Sequence, residues 1–352
     1  MKWRFIVNHR LDDVISYGNL SDELIAGNQL IESKKIIHDA FSRKLDSESL
    51  HLNLWALAFL EGHERGMEEQ KAWSEGKPES MPYMLSLESS KESYSGHLRK
   101  GRQLNRRAIE SAERAGNKEI AASWRMASAL REASFGNVSE ARQAAISAAG
   151  QSTTAGRDAE ALRALTFAVA GDVANAESLQ KSLGKRFPQD TLVQTVVLPT
   201  VRAQIELVRK NPERSVEVPR AAVRYEMGSA LNACIYPAYV RGEAYLAAKE
   251  GAAAAAEFQK ILDHRGIVVA CETGVLARLG LGRAYAMTGD GAKARTAYQD
   301  FLALWKDAGP DIPILKQAKA EYAAQLQPVV PLVRGLGDRR CGMEPRRVRR
   351  SS

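Results

Sequence analysis

The sequence predicts an all-α chain, built as a right-handed alpha-solenoid of stacked antiparallel helical hairpins. Three observations carry that expectation. Eight small-residue turn signals recur at Gly27-Asn28, Gly62-His63, Gly96-His97, Gly136-Asn137, Gly171-Asp172, Asn211-Pro212, Glu250-Gly251 and Gly289-Asp290, at steps of 35, 34, 40, 35, 40, 39 and 39 residues. Each signal is flanked by two apolar helical stretches, so one period holds one hairpin. The β-branched alternation that marks strands is nearly absent. A hydrophobic content of 45% supports a large interior, while an aromatic content of 7% and the run Gly251 to Ala256 point to helices packed closely on small side chains.

In chain order, residues 1–10 read as a lead-in and 11–310 as an array of about eight hairpins. Leu24, Gly27, Ser33, Ile37 and Ala40 fit the pattern loosely, and Gly62, Met67 and Pro78 more loosely still. Ala141, Ala145 and Ala148 fill the second helix after Gly136; Phe167, Gly171, Ala176 and Pro188 hold the corresponding places of the next unit. In the last unit Gly282 and Ala294 are small where two helices approach, and Tyr285, Tyr298 and Phe301 are large where the groove is filled. Forty residues earlier Gly242, Tyr245, Ala254, Phe258 and Ile261 repeat this position for position. The stretch from His264 to Gly274 reads as a long link between these two units. At 311–326, Leu315, Ala318, Tyr322 and Leu326 share one face of a helix that caps the stack. From 327 to 352 the prolines, glycines and arginines read as a disordered basic tail.

Charge narrows the function classes. The net charge is +8, but seven arginines against Asp338 and Glu344 place five of those charges in the tail. The remainder is nearly neutral, so no broad basic face for nucleic acid is implied. No run reaches the length of a membrane span. Cys234, Cys271 and Cys341 show no paired spacing, which argues for packed thiols, a reducing compartment and a cytoplasmic location.

No catalytic constellation emerges. Gly280-Leu-Gly282 echoes a phosphate loop, but Tyr285 stands where the third glycine belongs and helix packing explains the pair. The histidines at 9, 38, 51, 63, 97 and 264 lack metal-ligand spacing, and Glu68 and Glu69 point apart on a helix. No cofactor and no metal is expected.

The spacing small–Tyr–turn–Ala–aromatic–Pro, with Gly282, Tyr285, Ala294 and Tyr298 at its signature places, resembles the tetratricopeptide repeat (TPR). The large aromatic usual near the start of the first helix is replaced by Arg278. Tyr236 to Lys249, Phe258 to Ile267 and Ala297 to Ala308 are similar to stretches in bacterial proteins with a helical-repeat sensor half. In such proteins the repeats often follow a eukaryotic-like serine/threonine kinase domain, or sometimes a winged-helix DNA-binding domain. The resemblance implies a non-catalytic interaction or sensor module in signalling, binding a peptide or protein partner in its concave groove. Its alternative is a detached regulatory half of a bacterial serine/threonine kinase, with no active site in this chain. By the same resemblance the groove residues are Tyr236, Tyr239 and Glu243 in one hairpin, and Leu279, Arg283 and Met287 in the next.

Overall fold

The computed structural model describes residues 12–148, 156–227 and 234–326, and every structural statement below concerns those residues. The chain is all-helical there, with no strand. The lead-in, the basic tail and Cys341 lie outside the described residues.

Helices follow one another in pairs: α1 (Val14–Ala26) with α2 (Leu30–Ser42), α3 (Glu48–Glu61) with α4 (Glu64–Ser74), and α5 (Met81–Tyr94) with α6 (Leu98–Arg114). Then come α7 (Lys118–Ser134) with α8 (Val138–Ser147), α9 (Arg157–Val169) with α10 (Val173–Arg186), and α11 (Leu198–Val208) with the short α12 (Pro212–Glu217). The last pairs are α13 (Tyr236–Ala247) with α14 (Gly251–Asp263), and α16 (Glu272–Met287) with α17 (Gly291–Leu304). A one-turn helix α15 (Arg265–Val268) interrupts the link between them, and α18 (Pro313–Leu326) follows the last pair.

All eight turn signals fall between the two helices of a pair, and each turn contains one residue with positive φ. It is glycine at 62, 96, 136, 171 and 289, but Asn28, Lys210 and Lys249 in the other three. The dipeptides Gly171-Asp172 and Gly289-Asp290 divide the work. Glycine takes the left-handed conformation at no steric cost, and the aspartate then caps the next helix, accepting from the Asn175 and Lys293 backbone N–H groups at 3.3 and 3.1 Å. Three other turns are clamped by a glutamate five residues back: Glu92 binds His97, Glu132 binds Asn137 and Glu206 binds Asn211, at 2.7–2.9 Å.

Inside the pairs, small residues twelve apart meet where the helices cross. Ser21 and Ser33, Ser89 and Gly101, Ala129 and Ala141, Ala164 and Ala176, Ala203 and Ser215, Gly242 and Ala254, and Gly282 and Ala294 are all buried. In three of these pairs the serine hydroxyl donates across the crossing to a main-chain carbonyl at 2.8–2.9 Å. The pair α3–α4 is the exception, with Trp55 and Met67 at these places, both buried. Large rings fill the space beside the glycines: a Cβ on Gly242 or Gly280 would come within 2.7 or 2.6 Å of the Phe258 ring, and one on Gly282 within 3.0 Å of Tyr298.

The last pair and α18 lie against the third and fourth pairs. The Trp305 indole N–H donates to the Tyr94 carbonyl at 2.8 Å, and the Ile314 N–H donates to the Phe135 carbonyl at 3.2 Å. Arg278 donates to the Tyr94 hydroxyl at 2.8 Å. Glycines 96 and 136 sit directly against Ala308 and Pro313, so α18 and the end of α17 rest on the turns of the third and fourth pairs. Phe135, Phe301 and Trp305 are fully buried in the resulting core. Of the capping face, Leu315 and Ala318 are buried and Tyr322 half-buried, while Leu326 is exposed.

Candidate functional site

A cavity of about 710 Å³ lies in the middle of the molecule. Its wall is made by the first helix of each of the first five pairs, by Asn105 of α6, by Met227, Cys234 and Tyr236, and by the link 266–271 with Glu272 at the start of α16. That link is a strap running along the inside of the chain. The Gly266 N–H donates to Asn28 Oδ1 at 2.9 Å, the Asn28 amide donates to the Asp263 carbonyl at 2.6 Å, and Arg265 donates to the Leu60 carbonyl at 3.3 Å. A Cβ on Gly266 would collide with the Ile25 carbonyl oxygen, so backbone approaches backbone here and only glycine fits. Ala270 joins a buried cluster with Trp55, Met67 and Met84.

The wall mixes apolar rings with amides and hydroxyls, and it also carries the carboxylates of Asp22 and Asp158. The half-buried rings of Tyr83 and Trp124 meet edge-on, with centroids 5.4 Å apart and planes at 88°. Asn53 donates to the Gly18 carbonyl at 3.1 Å and to Ser21 Oγ at 2.5 Å, which fixes its amide at the wall. Burial pushes the Tyr83 phenol above its ordinary value, with the Glu48 carboxylate adding to the shift, so it stays a neutral hydroxyl.

One end of the cavity is closed by charge. Arg131 lies 3.5 Å from Glu272 and donates to Ser90 and Ser93 at 3.2 and 3.4 Å. The Glu272 carboxylate also accepts from the Tyr236 hydroxyl. Burial, followed by the Glu272 charge, raises the Tyr236 phenol well above its ordinary value, which keeps it a donor.

Beside this cluster Cys234 and Cys271 form a disulfide, with Cα atoms 5.6 Å apart. This corrects the expectation of packed thiols, and with it falls the cysteine argument for a reducing compartment. A separation of 37 residues carries no motif; the two sulfurs meet because α13 and the strap are brought together by folding. Glu272 and the two sulfurs lie within 4.8 Å of one another, but both sulfurs are spent in the S–S bond and offer no thiolate to a metal.

The six groove residues separate into four environments. Tyr236 lies in the cavity wall, buried and bound to Glu272. Leu279 is fully buried in the core with Phe301 and Trp305, and cannot meet a partner. It has this place because α16 packs chiefly against α14 and α17, with α13 and α5 also against it. Tyr239, Glu243 and Arg283 form a polar seam under α18. Arg283 donates to Glu321 at 2.9 Å, Tyr298 donates to the same carboxylate at 3.1 Å, and Tyr239 packs edge-on against Phe258. Burial raises the Glu243 carboxyl above its ordinary value, against the pull of the Arg283 charge. Met287 is exposed at the end of α16. In the last two pairs the face expected to be an open groove is therefore covered by α18 at Arg283.

Sequence reasoning missed the wall residues of the N-terminal pairs, Asn53, Tyr83, Trp124 and Arg131. Their shared signal is position: each lies on the first helix of its pair, on the side away from the second. No known protein-family model matches the chain, and no curated protein matches it in sequence. Among the described residues no helix is long and apolar enough to cross a membrane.

Proposed function

We propose that the chain is a TPR-like, right-handed array of eight helical hairpins that acts as a non-catalytic interaction module, and that it binds an extended peptide segment of a protein partner in the central cavity. The observation that carries this reading is the cavity itself. About 710 Å³ are lined by successive first helices and contain an aromatic pair with amide, hydroxyl and carboxylate groups around it. Such a wall suits a chain segment: rings give area at low entropic cost, and amides and hydroxyls meet a peptide backbone. Eight turns of like geometry and seven small-residue crossings support the repeat reading.

Selection of a random-sequence peptide library on the folded protein tests it. Enriched peptides are expected to lose about tenfold or more in affinity with Tyr83→Ala, as a buried aromatic anchor does, while the melting temperature stays close to the parent's. A library that yields no binder, or binders indifferent to Tyr83, contradicts the reading.

A further inference from the structure

The Cys234–Cys271 disulfide joins two segments that nothing else makes covalently dependent: the start of α13, and the strap that closes the cavity. Cys271 is the last residue of the strap and half-buried, Cys234 is buried, and both line the cavity. The backbone on both sides of the bond is held in an unfavourable region. Ile235, next to Cys234, has φ +47° and ψ +41°; Val269, two residues before Cys271, has φ +45° and ψ −110°. Both are β-branched, and β-branched residues enter positive φ only where their surroundings over-determine it. The strap's other end is held differently, by Asn28 and by the close approach of Gly266 to Ile25. Beyond it, Glu272 is fixed independently by Arg131 and Tyr236.

From this geometry we propose that the disulfide is a redox latch: its reduction by a dithiol frees residues 267–271 and opens the cavity on the strap side. The inference rests on the reading of that cavity as the binding site. The chemistry is a two-electron exchange. A thiolate of the reductant attacks Cys271 Sγ from the cavity side, the S–S bond breaks, and Cys234 Sγ leaves as a thiolate that takes a proton. The second thiolate of the reductant displaces Cys271 Sγ, which is protonated in turn, and the reductant departs as its own disulfide. Two electrons pass from the dithiol to the protein. With the covalent tie gone, Ile235 and Val269 relax to negative φ, and the strap hinges about its Asn28 anchor while Glu272 stays in place.

Amide hydrogen exchange of the full chain, oxidised and then treated with dithiothreitol, tests this without a peptide ligand. Exchange at Val268, Val269 and Cys271 is expected to accelerate about tenfold or more on reduction, with α3, α5 and α7 unchanged. A variant carrying both Cys234→Ser and Cys271→Ser is expected to show the fast pattern without reductant and to ignore dithiothreitol. Thiol counting on the oxidised chain is expected to find only Cys341 reactive. Three reactive thiols before reduction, unchanged strap exchange after it, or acceleration spread over the whole chain would each overturn the latch. If the strap responds but peptide selection fails, the latch stands and the binding reading falls; the converse result separates them the other way.

Discussion

The first helices of the N-terminal pairs and those of the last two pairs stand at equivalent places in their helical pairs, yet they meet different surroundings. Along α1, α3, α5 and α7 the inner face opens on the cavity and presents Asn53, Tyr83, Trp124 and Arg131. Along α13 and α16 the corresponding polar residues Tyr239, Glu243 and Arg283 are covered by α18, where Glu321 takes both Arg283 and Tyr298. A repeat pattern tells which residues face inward. Whether the inner face becomes a groove or a second core is decided by what folds across it, here one helix of 14 residues.

The largest expected effect lies on the sealed side. Phe258 is fully buried between Gly242 and Gly280, and Phe258→Ala is expected to cost about 3–5 kcal/mol in chemical denaturation, because the rigid glycine walls cannot collapse into the space. Next comes the crossing of the last pair: Ala294 is fully buried, and Ala294→Leu is expected to cost about 1–3 kcal/mol by overpacking. Arg283→Ala is expected to cost about 1–3 kcal/mol, since it strips a charged hydrogen bond from Glu321 and leaves two carboxylates facing each other. A cost near zero would mean that the seam under α18 is an open groove after all.

The seam also has a pH signature. The Glu243 carboxyl is raised in the folded state by burial, so folding favours its protonated form. That contribution to stability is fully present below the ordinary value of 4.5 and is lost as pH rises through the folded value. Glu243→Gln, which mimics the protonated form, is expected to melt higher than the parent as pH rises above the ordinary value of 4.5. A difference in melting temperature that stays flat with pH would contradict it. The smallest effect is at a turn. Lys249 has φ +63°, and Lys249→Gly is expected to stabilise by about 0.5–1 kcal/mol by removing side-chain strain in the left-handed region.

What the sequence made legible was local. Turn dipeptides, and small residues such as Gly282 and Ala294 at the crossings, act within one hairpin, and they mark the eight pairs that the structure contains. What it left unread was long-range. The link after His264 looked like slack between two units, yet Gly266 lies against Ile25 and its carbonyl, more than two hundred residues earlier. Cys234 and Cys271 gave no paired spacing because their meeting depends on the path of that strap. Arg283 reads as a groove residue from the place the tetratricopeptide resemblance gives it; its partner, Glu321, lies on α18.

The central claim is that the inner face binds a partner in the N-terminal pairs and holds the fold together in the last two. Titration of one selected peptide against Tyr83→Ala and Arg283→Ala, each with its melting temperature, tests it most directly. The account predicts an affinity loss of about tenfold or more for Tyr83→Ala with little change in melting, and the reverse for Arg283→Ala, lower melting with the peptide still bound. Loss of peptide binding by Arg283→Ala at an unchanged melting temperature, with Tyr83→Ala still binding, would contradict it.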